Sequence, residues 1–395
     1  MRVLSTCVPG YGHFHPMVPL ALALRAAGHE VAFATEERFC RRVEQAGFTA
    51  FPSGLGPGKV FERTLALPDV AGPGPENAAR FGAQMFAAVA APAKVADLTA
   101  AIGAWEADLV VTDVTDFAGP PAAAAAGLAC VAHALGPMFP MELFEVAAGL
   151  AAPTWRDLGL EPPPLAGMFA SAYLDTCPPS LQSVEAGRVE PVTRLLRPVA
   201  FDAVDGETLP AWAGDLGTRP TVYVTLGTVE NETEGVLEAA VEGLRGEPVD
   251  VVVTVGPSRD PDELGPQPPN VRVERYVAQS LLLPRCDVVV AHGGSGTMLA
   301  ALALGLPLLL LPQGANQFSN AERCREAGVA RCLLPAEVGP EAVRRAVRVL
   351  LDDPSYRDRA GRMAAEIAAM PAPADVVPAL EELAANGSVP ASPTA

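Results

Sequence analysis

Between Asp287 and Gln317 the chain reads DVVVAHGGSGTMLAALALGLPLLLLPQGANQ, and this stretch restricts the available folds more than any other. An apolar run ends at Ala291, a glycine turn follows, and a helix-like stretch opens at Ser295. A second apolar strand, Pro307 to Leu311, comes next. Strands joined through helices imply a parallel sheet with helices on both faces. The turn also gathers the unpaired N–H groups and the positive dipole end of a helix at one point, which suits a phosphate. Gly293, Gly294 and Gly296 let the backbone approach closely, while His292, Ser295 and Thr297 add side-chain donors. The loop Pro312 to Gln317, with Asn316 and Gln317, can grip hydroxyl groups. A diphosphate grip followed by a hydroxyl grip implies a nucleotide sugar.

The rhythm of strand and helix runs through the whole chain. Arg2–Cys7, Val31–Ala34, Leu109–Thr112 and Ala129–His133 read as strands, with a helix from Pro16 to Ala27 whose two prolines fall in its first turn. A Gly-, Pro- and Asp-rich connector, 201–220, separates this series from a second one. The second comprises Thr221–Leu226, Val249–Val255, Val271–Val273, Val288–Ala291, Pro307–Leu311 and Ala330–Leu333. The expected fold is α/β, with two Rossmann-like β/α/β domains facing across a cleft, since open α/β sheets bind ligands at the carboxyl ends of their strands. The expected boundaries are 1–200, the linker 201–220, and 221–353, then terminal helices over 354–386 and a flexible tail, 387–395.

Composition narrows the partners. A formal charge of −18 over 395 residues repels nucleic acid and anionic membrane surfaces, so any phosphate must be held by backbone dipoles and a few placed side chains. No apolar run reaches the ~18–20 residues of a membrane span, with Leu302 to Leu311 the densest stretch. Met1-Arg2 leads straight into a strand, leaving no room for a signal peptide. Seven cysteines without a CxxC pair fit reduced thiols and a cytoplasmic location.

The order of Tyr276-Val277-Ala278-Gln279, His292-Gly-Gly-Ser-Gly-Thr and Pro312-Gln…Asn316-Gln317 resembles the donor-binding signature of family 1 glycosyltransferases, the GT-B enzymes. The resemblance is closest to the actinobacterial branch that decorates antibiotic aglycones, and extends loosely over most of the chain. It implies terminal helices that cross back onto the first domain. It also implies a nucleobase platform at Tyr276, although an aromatic there is equally compatible with ordinary core, and base-edge hydrogen bonds from the Val277 backbone. Gln279 belongs to the same signature, and Gly227-Thr228, at the end of a strand, can point donors at the phosphates.

His13, in Pro9-Gly10-Tyr11-Gly12-His13-Phe14-His15-Pro16, falls at the carboxyl edge of the first sheet. A helix N-terminus there lowers its pKa and keeps it neutral for general-base work. In the family, the His of this Gly-His-x-x-Pro pattern deprotonates the acceptor hydroxyl. An orienting carboxylate is expected at Asp113, which aligns with the family's dyad aspartate, with Asp116 as its rival. His15 and His133 read as packing or acceptor-lining residues and His29 as structural. Phe61, Phe81, Met85, Met138 and Phe139 are the candidate acceptor lining. They belong to an apolar group with Phe86, Met141, Phe144, Met168 and Phe169 that ordinary core explains equally well.

No metal site is expected: Asp260-Pro261-Asp262 reads as a solvated turn, and no cofactor is implied. The turn Gly10 to His15 lacks the third glycine of GxGxxG, which argues against a nicotinamide oxidoreductase. The leading expectation is an inverting, metal-independent transfer of a deoxy sugar from a dTDP-sugar to an apolar natural-product aglycone. UDP-sugar members commonly carry a Glu eight residues after the signature His, where this chain has Ala300. Alternatives are a GT-B nucleotide-sugar 2-epimerase and a non-catalytic auxiliary or sugar-sensing protein. The expected partners are the small-molecule acceptor and donor, with the chain a monomer or a homodimer.

Overall fold

A strand such as Val288–Ala291, with every residue buried, must be covered on both faces, and that requirement sets a layered α/β architecture. The computed structural model describes residues 1–72, 74–202, 207–227, 235–256 and 259–387. They form two compact units. The first comprises Met1–Cys177, Gln182–Arg197 and Pro371–Ala395, the second Pro178–Leu181 and Pro198–Met370.

The first unit is built on a parallel seven-stranded sheet: β1 (Arg2–Thr6), β2 (Glu30–Thr35), β3 (Thr49–Pro52), β4 (Leu109–Asp113), β5 (Cys130–His133), β6 (Ala172–Asp175) and β7 (Thr193–Leu195). Their spatial order is β3-β2-β1-β4-β5-β6-β7. The second unit holds six parallel strands: β8 (Thr221–Thr225), β9 (Asp250–Thr254), β10 (Val271–Glu274), β11 (Val288–Ala291), β12 (Leu308–Leu310) and β13 (Ala330–Cys332). Their order is β10-β9-β8-β11-β12-β13. Both sheets reverse their winding once, between β1 and β4 and between β8 and β11, and such a reversal opens a crevice at the carboxyl ends of the two strands. Thr6 lies beside Thr112 across the first reversal, and Thr225 beside Ala291 across the second.

Three strands escape the sequence pattern. β3, β6 and β7 are three or four residues long and read TAFP, AYLD and TRL, too short and mixed for an apolar run to stand out. The expectation of no span-length apolar run is corrected. The helix Ala78–Trp105 is long and apolar enough to cross a bilayer by length and composition. In this unit its Ala83, Ala87, Ala91, Leu98 and Ile102 lie in the hydrophobic core, together with Phe144 and Tyr173. Its Gln84–Ala90 portion is a π-helix. The helix also buries Lys94, which breaks the apolar pattern in the sequence.

The return of the chain to the first unit begins at Pro371, later than the sequence implies. The helix Pro354–Ala369 stays in the second unit, where Gly361 lies against Gly305. The helix Val377–Asn386 belongs to the first, with Glu381 paired to His29 at 3.0 Å. The expected linker is part of the second unit, carrying the short 3-10 turn Ala211–Asp215 with Ala213 buried. Of the expected tail, 388–395 lie outside the described residues.

Candidate functional site

The loop after β1 brings His13 to the reversal point of the first sheet. The helix that carries it is a single turn, Tyr11–Phe14, continued by the 3-10 turn His15–Met17 and the helix Val18–Ala26. Pro16 and Pro19 sit in the first turns of the latter two, where a missing N–H costs little. His13 Nδ1–H donates to Asp113 Oδ2 at 2.6 Å. Asp113 ends β4 with no exposed surface, while the His13 side chain keeps 24% of its surface. The same Asp113 oxygen accepts the Val8 N–H at 3.3 Å, and Oδ1 accepts the N–H and hydroxyl of Thr115 at 2.8 and 2.9 Å. Four donors therefore fix one carboxylate, and that carboxylate fixes the imidazole. The Phe86 ring stands edge-on to His13 with centroids 6.2 Å apart.

Burial disfavours a charged His13, yet the adjoining Asp113 carboxylate outweighs it and raises the imidazole above its ordinary value. Burial likewise opposes the Asp113 charge, and contact with His13 overcomes it and holds the carboxyl below its usual range. The expected lowering of the His13 pKa by a helix N-terminus is thus overturned. The buried Asp113 carboxylate beside the ring outweighs the helix N-terminus.

Asp116, the rival carboxylate, turns elsewhere. Its Oδ2 accepts from Lys94 Nζ at 2.6 Å and from Thr6 Oγ1 at 2.7 Å. The geometry brings Asp113, not Asp116, to His13. His133 neighbours Asp113 on β5 and donates Nδ1–H to the Ala134 carbonyl at 2.7 Å, and burial lowers its pKa to about 4. His15 packs its ring 5.0 Å from that of Tyr11.

At the second reversal point the main feature is a histidine wrapped in glycine. Gly227 follows β8 with φ +80°, and a Cβ built there would lie 2.5 Å from His292 Cε1. A Cβ on Gly294 would lie 2.4 Å from His292 Nε2, so only glycine at both places lets the ring fit between them. Burial lowers the His292 pKa to about 4, and the imidazole is neutral at pH 7. Its Nδ1 is buried without a hydrogen-bond partner among the described residues. Gly294 caps the helix Ser295–Ala303 with no side-chain bond, and the first-turn N–H groups of Ser295, Gly296 and Thr297 have no partner within the helix. The Gly293 carbonyl accepts from Asn320 Nδ2 at 2.9 Å. Ser295 Oγ accepts from Asn320 at 3.1 Å and from Asn316 at 3.4 Å, which leaves the serine proton to donate. Together these groups can hold a dianionic oxygen cluster with neutral donors.

Several expected donor-site residues do other things. The Thr297 hydroxyl donates to Gln279 Oε1 at 3.2 Å, and Gln279 donates to the Tyr223 hydroxyl at 3.2 Å, so this pair braces the interior. Gln317 Oε1 accepts the N–H groups of Gln313 and Gly314 at 2.8 and 3.2 Å, which shapes its own loop rather than presenting that oxygen outward. Tyr276 is not core: it is 54% exposed, with its hydroxyl on the Asp202 carbonyl at 2.6 Å. Val277 is buried. Thr228 lies outside the described residues.

Asp260 caps the exposed turn Pro261–Leu264, accepting the Asp262 N–H at 3.1 Å, and it faces Arg275 at 3.6 Å. Among the described residues no three His, Cys, Asp or Glu side chains gather as a metal-binding group. Of the acceptor candidates, Phe81 and Met138 are buried, as are Met141, Phe144, Met168 and Phe169. Phe61 is 42% exposed, and Met85 and Phe139 are partly exposed. Phe86, which the sequence offered only as one of an apolar group, stands beside His13.

Two Rossmann-like units, each with one winding reversal, match the GT-B architecture. The glycosyltransferase SnogD from Streptomyces nogalater superimposes with a TM-score of 0.81 at 32% identity, covering 97% of this chain and 99% of that one. A Streptomyces sp. SF2575 glycosyltransferase, SsfS6, solved with thymidine diphosphate, gives 0.78 at 28% identity over 97% and 99%. In sequence, the L-demethylnoviosyl transferase of Streptomyces niveus is 34% identical over 389 residues, 96% of this chain and 97% of that protein. Residues 242–383 match the model described as erythromycin biosynthesis protein CIII-like, C-terminal domain. The chain belongs to the family 1 glycosyltransferases of GT-B fold, among the actinobacterial antibiotic glycosyltransferases. These relatives lend nothing to the epimerase or sensor alternatives.

Proposed function

We propose that this glycosyltransferase moves a deoxy sugar from a dTDP-linked donor to a hydroxyl of an apolar natural-product aglycone, with inversion and without a metal or other cofactor. The observation that carries the reading is the 2.6 Å contact between His13 Nδ1 and the buried Asp113. With Nδ1–H committed to Asp113, Nε2 is the atom left to accept the acceptor's proton. Asp113 then stabilises the imidazolium that forms, in keeping with the raised His13 pKa. The freed oxygen attacks the anomeric carbon from the face opposite the diphosphate, and one displacement inverts that carbon.

The departing charge is received by the Ser295, Gly296 and Thr297 N–H groups, the Ser295 hydroxyl and neutral His292, as electrostatic stabilisation without a cation requires. Asp260 and Asp262 serve their surface turn and take no part. Thymidine as the base is supported by Ala300, which offers no carboxylate to a ribose 2′-hydroxyl, and by the thymidine diphosphate bound in SsfS6. A natural-product acceptor is supported by the relatives' antibiotic chemistry, and an apolar one by Phe61, Met85, Phe86 and Phe139. Seven free cysteines suit a cytoplasmic enzyme. Incubation with a dTDP-deoxysugar and a panel of aromatic and macrocyclic aglycones, with the product anomer read by proton coupling, tests the proposal. A retained anomeric configuration, or transfer from UDP-sugars only, would refute it.

A further inference from the structure

Behind the His13–Asp113 contact lies a second, fully enclosed charge pair. Lys94 projects from the helix Ala91–Trp105 and is buried, with Nζ donating to Asp116 Oδ2 at 2.6 Å and to the Cys7 carbonyl at 2.9 Å. Cys7 is the residue that leaves β1 toward the His13 loop, and Val8, next in the chain, donates to Asp113. Asp116 in turn takes Thr6 Oγ1 at the end of β1 and, through Oδ1, the Ala118 N–H at 3.3 Å. A Cβ on Gly54 would come 3.0 Å from Lys94 Cβ, so the chain packs closely against the lysine's aliphatic stem. A buried ion pair adds little stability over apolar packing of the same size, so its place beside the base asks for another account.

We propose that Lys94 and Asp116 are positioning residues for His13. Lys94 ties the exit of β1 to the turn after β4, and it cancels the Asp116 charge so that Asp113 alone polarises the imidazole. The two carboxylates sit three residues apart on one turn, and both are buried. An uncancelled Asp116 would add to the field of Asp113 and favour imidazolium, the form that cannot accept a proton. The charged groups acting on His13 are Asp113, Asp116 and Lys94, with Asp116 raising and Lys94 lowering its pKa. This inference rests on His13 as the base, but it makes a claim about the His13 titration that does not depend on turnover.

The test is an NMR titration of imidazole-labelled full-length protein, its five histidines assigned by substitution, in wild type, Asp116→Asn, Lys94→Met and the double variant. Asp116→Asn is expected to move the His13 midpoint down and Lys94→Met to move it up. The double variant should return it close to wild type, and the acid limb of kcat/KM should follow the same order. A merely structural pair would lower Tm in all three with the His13 midpoint unmoved, and that result overturns the proposal, as do shifts of one sign. Should Lys94→Met not fold, a midpoint in Asp116→Asn equal to wild type is sufficient to overturn it. If the His13 midpoints shift as stated while His13→Ala still turns over normally, the base assignment fails and the charge relation stands.

Discussion

The two sheets reverse their winding at equivalent points, and each reversal presents one histidine in opposite surroundings. His13 is tied to a buried carboxylate that raises its pKa. His292 is packed between two glycines, lowered to about 4 by burial, with no counter-charge among the described residues. On the proposed mechanism one site takes up a proton, and the other stays neutral while donating to an anion. The same topological position therefore specifies where chemistry happens but not which chemistry. What differs is the neighbour: Asp113 at the end of β4, or Gly227 two residues beyond β8.

The largest effect that would break this contrast is at Asp113. Asp113→Asn keeps a hydrogen-bonding group but removes the charge, and kcat should fall by roughly 10²–10⁴-fold, the range of general-base assistance. Steady-state rates at saturating donor check it, and a fall under threefold would detach the carboxylate from the mechanism. At the other reversal, Gly294→Ala drives a methyl into the His292 ring. Overpacking of about 1–3 kcal/mol should weaken dTDP binding by about 5–150-fold. Calorimetry measures it, and unchanged affinity would mean that the wrapped ring is irrelevant to the donor.

The two environments should also part in their response to acid. His292 and His133, both near 4 when folded against 6.5 in the unfolded chain, decline protons that the unfolded chain accepts, so stability falls as pH drops from about 6.5 toward 4. His13 has the opposite sign: its raised pKa contributes below the unfolded value and is lost as pH rises through the folded one. In a Tm–pH series, His292→Gln should flatten the acid side and His13→Gln should not, and identical curves would erase the distinction. The smallest expected effect is none: Asp260→Ala with Asp262→Ala, assayed in EDTA, should leave turnover within twofold. Activity restored only by Mg²⁺ or Mn²⁺ would return a cation to the donor diphosphate.

Much of this was written in local sequence. A strand that ends in Asp113 and a loop that carries His13 belong to adjacent parallel strands, so residue position at strand ends was enough to bring them together. The glycines around His292 were visible as a turn, although that two of them clasp one ring follows only from β8 lying beside β11. Lys94 was invisible for the converse reason. It sits in an apolar helix, 22 residues before its partner, and a lone lysine there reads as a solvated break. The internal contacts of Gln317 Oε1 and the Thr297 hydroxyl were not legible, because sequence shows which groups can donate or accept and not which neighbours engage them. The strands β3, β6 and β7 exist through pairing in the sheet more than through their own composition.

The division of labour between the two reversal points is tested most directly by His13→Ala, read twice on the same preparation. The account predicts dTDP affinity within about twofold of wild type by calorimetry while kcat falls by roughly 10²–10⁴-fold. Turnover near wild type, or a loss of dTDP binding as large as the loss of rate, would contradict it.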